Sequence, residues 1–236
     1  MEPAPDEIPL PLGDPPPCWL ARLRARTGGV LRGLEAGQVL LREGERPPCF
    51  WAIQSGVVAL ASTTASGRKA TVALLARGAV LGEHGMSPNA ALHAGWDLVS
   101  LPEARALVAS TVCSVQFPTL RAAMASDPRL ARWVLVAVSR RAHQVQRTLA
   151  RTLAMQVPSR LLGVLQDLAA EHGSPGPGGV GIGIPLTQDL LASMVGATRE
   201  SVNRAIADLE REGLVRRVGL RYVLPRPPVV SEDGPE

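Results

Sequence analysis

Cysteine is scarce in this chain. Cys18, Cys49 and Cys113 are the only three in 236 residues, and they lie far apart. An odd number without paired spacing excludes a disulfide framework and a cysteine-based zinc site. Three scattered thiols also cannot supply the four ligands of an iron-sulfur cluster within one chain. Reduced, mostly buried thiols are expected. An oxidation switch at one of them stays open, with only Arg46, near Cys49, as a basic neighbour that would favour a thiolate. Lysine is rarer still: Lys69 stands alone, and every other basic residue is arginine. Arginine suits phosphate and guanine contacts, but the same bias arises from the base composition of a genome.

Other absences narrow the class. Four histidines are dispersed along the chain, and no nucleophile elbow, Walker loop or zinc motif accompanies them, so an enzyme is not expected. Haem would need an axial ligand from His84, His93 or Cys113, each more often an ordinary polar or core residue; no cofactor is expected. No apolar run reaches the roughly 18 to 20 residues of a membrane span. The opening "MEPAPDEIPLPLGDPPP" has no basic segment followed by an apolar core, so it is not read as a secretory signal. Its proline content predicts an extended, flexible tail over residues 1–17. A soluble cytoplasmic protein without a membrane partner is the expectation.

What is present is ample apolar content, 46%, enough for one large domain or two modest ones. Basic residues outnumber acidic ones by 25 to 21, so the net charge of +4 permits a nucleic-acid partner without demanding one. From Val30 to about Phe117 short apolar or alternating runs ("QVLLREGE", "CFWAIQSGVVALAS", "KATVALLARGAVLGE", "TVCSVQF") are separated by turn signals such as "TASGRK". Several closely spaced strands predict a β-sandwich or barrel of roughly 90 residues.

The period then changes. Pro128 to Gln156 contains no internal proline or glycine, and Leu135, Val138, Ala142, Val145, Leu149 and Thr152 recur at alternating spacings of three and four. That is the a/d pattern of a coiled coil and predicts a dimerising helix; about 28 residues give roughly 42 Å, longer than a small domain needs. The alternative is that the stripe packs on the chain's own β-domain. "VPS" at 157–159 breaks this helix or starts the next, and "GSPGPGGVG" reads as a loop too flexible to belong to an element.

Beyond it, a helix beginning at Thr187 and ending near Met194, a tight turn at Gly196, and a second helix from Thr198 to about Glu212 have the spacing of a helix-turn-helix. Leu191, Val195, Val202, Ile206 and Leu209 are the expected apolar contacts, and Ala192 is small enough for a close crossing. "GLVRRVGLRYVLP" predicts a hairpin around Val218-Gly219 that completes a winged helix, with Arg216, Arg217 and Arg221 on it. On the second helix Glu200 and Arg204 lie one turn apart with Arg199 beside them. A recognition helix enters the major groove by this end, where arginine bonds guanine N7 and O6 and glutamate accepts from the cytosine amine. A carboxylate facing DNA is repelled by phosphates, so placing one there makes sense when it reads a base or positions the arginines. The bland alternative is an i,i+4 salt bridge between Glu200 and Arg204 on a solvated face.

In this order of parts, from about Val30 to Leu224, the chain resembles the superfamily of the cyclic AMP receptor protein and the fumarate and nitrate reduction regulator. "LTQDLLASMVGATRESVNRAIADLEREGLV" carries the resemblance most specifically, with the R-E-x-V-x-R pattern complete in Arg199, Glu200, Val202 and Arg204. The resemblance implies an α+β fold: a cyclic-nucleotide-binding-like β-roll over 18–126, a long dimerisation helix over 127–157, a C-terminal winged helix-turn-helix over 158–225 and a flexible tail over 226–236. It implies a homodimer acting on double-stranded DNA, with RNA polymerase as a further partner, on inverted repeats of TGTGA-like half-sites. Arg199 and Arg204 would contact guanines and Glu200 a cytosine, and the expected DNA-binding set is Thr187, Thr198, Arg199, Glu200, Ser201, Asn203, Arg204 and Arg217.

The effector end departs from the family. Its nucleotide-binding members hold the ribose with a Gly-Glu pair, the cyclic phosphate with an Arg-Ser pair, and the base with a Thr-Ser pair on the dimer helix. Gly82 and Glu83 match the first. No Arg-Ser dipeptide follows; the first arginine is Arg105, followed by Ala106, and a gapless alignment puts Val145 and Gln146 where the Thr-Ser pair would be. A buried cyclic phosphate without a cation or compensating hydrogen bonds costs several kcal/mol. Regulation without the usual cyclic AMP dependence is therefore expected, with Arg105 as the one replacement if a loop precedes it, and with Gly82 and Glu83 read otherwise as a structural turn. Two further readings stay open: a regulator answering another small molecule, and a ligand-binding module whose winged helix binds protein.

Overall fold

The computed structural model describes residues 18–86, 102–176 and 178–225. The tails expected at 1–17 and 226–236, and the stretch 87–101 that holds His93 and the loop expected before Arg105, lie outside the described residues. Helix α1 (Cys18–Thr27) buries Trp19, Leu20 and Leu23 on one side and stops at Gly28, whose φ of 62° lets its N–H return to the Arg24 carbonyl at 2.9 Å.

Among the described residues eight strands follow: β1 (Val30–Leu34), β2 (Val39–Leu41), β3 (Phe50–Ser55), β4 (Val58–Thr63), β5 (Lys69–Leu75), β6 (Val80–Leu81), β7 (Glu103–Ala106) and β8 (Ser110–Val115). They form two antiparallel four-stranded sheets, β1-β8-β3-β6 and β2-β7-β4-β5. The period of two sorts the side chains. In β3, Trp51 and Ile53 fill the roll with Leu60, Leu75, Leu81 and Val112, while Phe50 and Ala52 turn outward under a helical cap. The cap is α1 with α2 (Phe117–Ser126) and the first part of α3 (Pro128–Ala154), packed on the outer face of the first sheet through Trp19, Leu23, Leu120, Leu130, Val134 and Ala137.

Helix α3 has two further faces. Leu135, Ala142, Val145, Leu149 and Thr152 are exposed, and Leu153 and Met155 extend the apolar surface at 79% and 47% exposure. Val138, the sixth member of the expected stripe, is half-buried against the helical cap, because the helix is rotated there to bury Val134 and Ala137. The helix stops at Met155, and α4 (Val157–His172) starts with Pro158 in its first turn. Helix α4 runs back along α3. Arg151 pairs with Asp167, Arg147 reaches the same carboxylate at 3.3 Å, and Gln144 donates to Glu171 at 2.9 and 3.0 Å.

The remaining elements are β9 (Gly173–Gly176), β10 (Gly179–Ile182), α5 (Gln188–Val195), α6 (Arg199–Arg211), β11 (Arg216–Val218) and β12 (Arg221–Leu224), with the strands in the order β11-β12-β10-β9. The loop expected over "GSPGPGGVG" is thus overturned: 173–176 pairs with 179–182 as a hairpin. Gly173 and Gly179 of this hairpin serve close approach to neighbouring backbone. A Cβ on Gly179, at φ 124°, would fall 2.0 Å from the Leu224 carbonyl oxygen, so only glycine lets this backbone meet the neighbouring strand.

The helix-turn-helix core (Leu161, Leu165, Leu191, Val195, Val202, Ile206, Leu209, Tyr222) does not close on itself. Val57, Ala59 and Leu74 of the roll belong to the same apolar cluster.

Candidate nucleic-acid interface

Each helix of the pair is started by a threonine in extended conformation. Thr187 Oγ1 accepts from the Leu190 N–H at 3.1 Å and Thr198 Oγ1 from the Ser201 N–H at 3.2 Å, each meeting one of the four orphan donors of a helix N-terminus. Between them Gly196 takes the left-handed conformation, φ 63° and ψ 44°, that ends α5 in one residue. In α6, Val202, Ala205, Ile206 and Leu209 are buried at spacings of three and four, which leaves Arg199, Glu200, Asn203 and Arg204 on the exposed side with Ser201 half-exposed.

No ion pair joins Glu200 to Arg204 among the described residues, so the solvated salt bridge is not the arrangement adopted. Arg199 turns toward α5: its Nε donates to Gln188 Oε1 at 3.2 Å, and Nη1 lies 3.9 Å from the Asp189 carboxylate. The backbone N–H of Glu200, with the Thr198 hydroxyl and the two flanking arginines adding to it, holds the Glu200 carboxyl below the usual carboxylate range. It is therefore ionised at neutral pH and accepts hydrogen bonds only. The end of α6 presents one acceptor between donors, the set that distinguishes a cytosine amine from guanine N7 and O6.

The wing adds positive charge. Arg216, Arg217 and Arg221 are exposed on β11 and β12, and the β11–β12 turn is made at Gly219, φ 63°. The Arg217 N–H donates to Glu210 Oε1 at 3.1 Å, tying the wing to α6. Burial pushes the Tyr222 hydroxyl up, against the Arg217 guanidinium beside it. A cleft of about 490 Å³ between the β4–β5 turn and the helix-turn-helix is lined by Ser66, Arg68, Lys69, Asp189, Gly196 and Arg199.

The effector corner is built differently. Gly82 has φ 89°, and a Cβ there would meet the Cys49 carbonyl oxygen at 2.5 Å, so the glycine is required by the fold whatever binds. Glu83 Oε1 is held by Arg141 Nη2 from α3, and the same guanidinium donates to the Val80 carbonyl at 3.1 Å. Arg141 is the residue that sequence reasoning missed. It lies on the inward face of α3 at the spacing of Leu130, Val134 and Ala137, which alone would have predicted an apolar side chain. Glu83 Oε2 is buried without a partner among the described residues. Arg105 is not part of this corner: in β7 its Nε is 3.0 Å from Glu103 Oε1 and its Nη1 2.8 Å from the Gly37 carbonyl, on the other sheet.

Burial pushes Cys49 and Cys113 up despite nearby Arg32 and Arg24, which opposes thiolate formation, and burial lowers His84. Cys18 is exposed. Among the described residues no group of three potential ligands is placed to hold a metal, and no helix is long and apolar enough to cross a membrane.

Comparison with known proteins matches two parts of the chain to known families. Residues 31–127 match the cyclic nucleotide-binding domain family and 159–229 the Crp-like helix-turn-helix domain. The chain is 28% identical over 184 residues, 78% of each chain, to the CRP-like cAMP-activated global transcriptional regulator of Mycobacterium tuberculosis. It is 26% identical over 198 residues to the global nitrogen regulator of Synechococcus elongatus, covering 84% of this chain and 86% of that one. In fold it is similar to a CRP/FNR-family transcriptional regulator of Thermus thermophilus, with TM-score 0.67, 22% identity, 84% of this chain and 94% of that one. The c-di-GMP-responsive global regulator of Xanthomonas campestris gives TM-score 0.70 at 21% identity, over 89% and 99%. These relatives are transcription regulators, not enzymes. With a nucleotide-binding-type roll, a long helix and a Crp-like helix-turn-helix in that order, the chain belongs to the CRP/FNR superfamily of DNA-binding transcription regulators.

Proposed function

We propose that the protein is a cytoplasmic homodimer that reads inverted repeats of TGTGA-like half-sites, recruits RNA polymerase, and does so without dependence on cyclic AMP. The roll (18–126), dimer helix (127–157) and winged helix (158–225) are its working units. The observation that carries the reading is the exposed set Arg199, Glu200, Asn203 and Arg204 at the capped end of α6, with Glu200 unpaired to Arg204. A helix N-terminus also favours the DNA phosphates that flank it, which supports Thr187, Thr198 and Ser201 as backbone contacts and Arg217 as a contact from the wing. Dimerisation is supported by Leu135, Val145, Leu149 and Leu153, large apolar side chains left in water along one helix. Two copies would place their recognition helices about 34 Å apart, one turn of DNA. Placing an aspartate at Leu149 is expected to turn a dimer into a monomer in sedimentation equilibrium.

Independence from cyclic AMP is supported by the pairing of Arg105 with Glu103 on the other sheet, which keeps it from holding a cyclic phosphate beside Gly82 and Glu83, and by the engagement of Glu83 Oε1, on the carboxylate matched to the ribose contact, with Arg141. A second reading, response to a nucleotide or another hydroxyl-bearing ligand, is favoured by Glu83 Oε2, which has no hydrogen-bond partner among the described residues, and by the cAMP-activated regulator among the relatives. The test is the affinity for a duplex with inverted TGTGA half-sites at fixed salt, with and without cyclic AMP, against a scrambled duplex. Equal, specific binding in both conditions is expected. Binding that appears only with the nucleotide would install the second reading, and no preference for the inverted repeat would sink both.

A further inference from the structure

Two groups of the roll hold the turn of the helix-turn-helix. Arg68, at the β4–β5 turn, donates from Nη2 to the Ala197 carbonyl at 2.8 Å. Ala197 lies between Gly196 and the cap Thr198, and the α6 ladder begins one residue later, with the Val202 N–H on the Thr198 carbonyl at 3.0 Å. The Ala197 carbonyl is therefore outside the helix, and the arginine is what meets it. Three residues along, in β5, Thr71 Oγ1 lies 2.7 Å from Ser193 Oγ, and Ser193 donates its single hydroxyl hydrogen to the Leu190 carbonyl at 2.7 Å. Thr71, 8% exposed, must be the donor of that pair. Beneath both bonds Val57, Ala59 and Leu74 continue the core of α4 to α6.

The roll is fixed in turn to α3. Arg141 bonds Glu83 and the Val80 carbonyl, and Leu130, Val134 and Ala137 pack in the same cluster as Phe50 and Val80. A continuous set of contacts thus runs from the exposed stripe of α3, through the roll, to the turn that aims α6. A second tie runs through α4, which Arg147, Arg151 and Gln144 hold to α3; it fixes α4, while the roll contacts fix the turn itself.

We propose that Arg68 and Thr71 are positioning residues that fix the attitude of α6 relative to the dimer axis and so set the half-site spacing the dimer accepts. The inference rests on the homodimeric DNA-reading function proposed above. One base pair of spacing moves a half-site by about 3.4 Å along the duplex and rotates it by about 35°, so a rigidly held helix pair discriminates strongly between neighbouring spacings. Releasing the turn from the roll lets the winged helix follow the shifted half-site. The alternative for Arg68 is a direct phosphate contact. Its bond to a backbone carbonyl, and Asp189 lining the same cleft, favour positioning.

The experiment compares the full-length protein with Thr71→Val and Arg68→Ala on duplexes that keep both half-sites and vary the spacer by one and two base pairs, each at several salt concentrations. Melting curves and sedimentation confirm that each variant is folded and dimeric. The wild type is expected to disfavour a one-base-pair change by about tenfold or more, and each variant by less than about threefold, with an unchanged slope of log affinity against log salt. Thr71→Val carries no charge and leaves Ser193 its bond to Leu190, so a spacing profile as sharp as the wild type's in that variant overturns the proposal. So does an Arg68→Ala profile that stays sharp while the salt slope falls by about one, which makes Arg68 a phosphate contact. A wild type that prefers no inverted repeat is a different result, and refutes the DNA-reading function instead.

Discussion

The N-terminal end of α6 and the corner where β6 meets α3 treat charge in opposite ways. At α6 the helix buries Val202, Ile206 and Leu209 and leaves Arg199, Glu200 and Arg204 in solvent, so the polar groups face outward. At the corner Glu83 and Arg141 face each other, 15% and 17% exposed, inside the protein. The first arrangement leaves charges available to a partner; the second satisfies them within one chain. Both regions carry residues that match a family pattern, and only their surroundings reveal the difference.

The largest effect should come from unbalancing the buried pair. Arg141→Ala leaves the Glu83 carboxylate without its cation and is expected to cost about 3 kcal/mol, read as a lower urea midpoint. Adding Glu83→Gln to an Arg141→Met background should return most of that loss, since no uncompensated charge then remains. If Arg141→Ala is as stable as the wild type, the corner is solvated like α6 and the contrast between the two regions disappears.

The opposite behaviour is expected at the exposed end. Arg204→Ala should leave the melting temperature near that of the wild type and weaken binding to the specific duplex by about 1 to 3 kcal/mol, concentrated at one base step. Glu200→Ala should relax discrimination at a single position and leave the rest of the site read. Uniform loss across all sequences, seen in a panel of single-base variants, would reassign these side chains to phosphate contacts.

The same contrast explains what the sequence disclosed. Caps, turn glycine and apolar spacing are local, and Thr187, Gly196, Thr198 and the 202/206/209 stripe could be read directly. The alternating runs gave the roll for the same reason. The effector corner is not local. Arg141 bonds Glu83 across 58 residues, and nothing in the heptad pattern of α3 marks one inward position as charged. Arg105 was drawn toward the corner by its order in the chain, but β7 lies in the other sheet. The hairpin at 173–182 was missed because glycines that permit close backbone approach carry the same letters as glycines that permit disorder.

A smaller effect tests whether the reading end is held by its own caps. Thr198→Ala removes the acceptor for the Ser201 N–H and should cost about 1 kcal/mol in urea unfolding, as should Thr187→Ala for α5. The two losses should add, since each cap serves only its own helix. A Thr198→Ala protein whose specific affinity falls much further than its stability would mean that this hydroxyl also touches the DNA backbone.

The smallest and most conditional effect lies where α1 meets α3. Asp127 is 3% exposed, and the Arg22 guanidinium bonded to it, with Arg26 at 3.5 Å, holds its carboxyl below the usual range. A group whose folded value is depressed contributes its stability above the unfolded value, near 3.9, and loses it as the pH falls through the folded value. The stabilisation from Asp127 should therefore be full and independent of pH near neutrality, and decline at acid pH as this carboxylate is protonated. Asp127→Asn should lower stability at pH 7 and flatten the acid limb, because the amide cannot titrate. Urea midpoints for the wild type and Asp127→Asn between pH 7 and pH 2 check this: converging curves locate a charge that is internally neutralised, like the one at Glu83. Parallel curves would mean that Arg22 and Asp127 behave as a solvated surface pair, and would place α1 with the exposed charges of α6 instead.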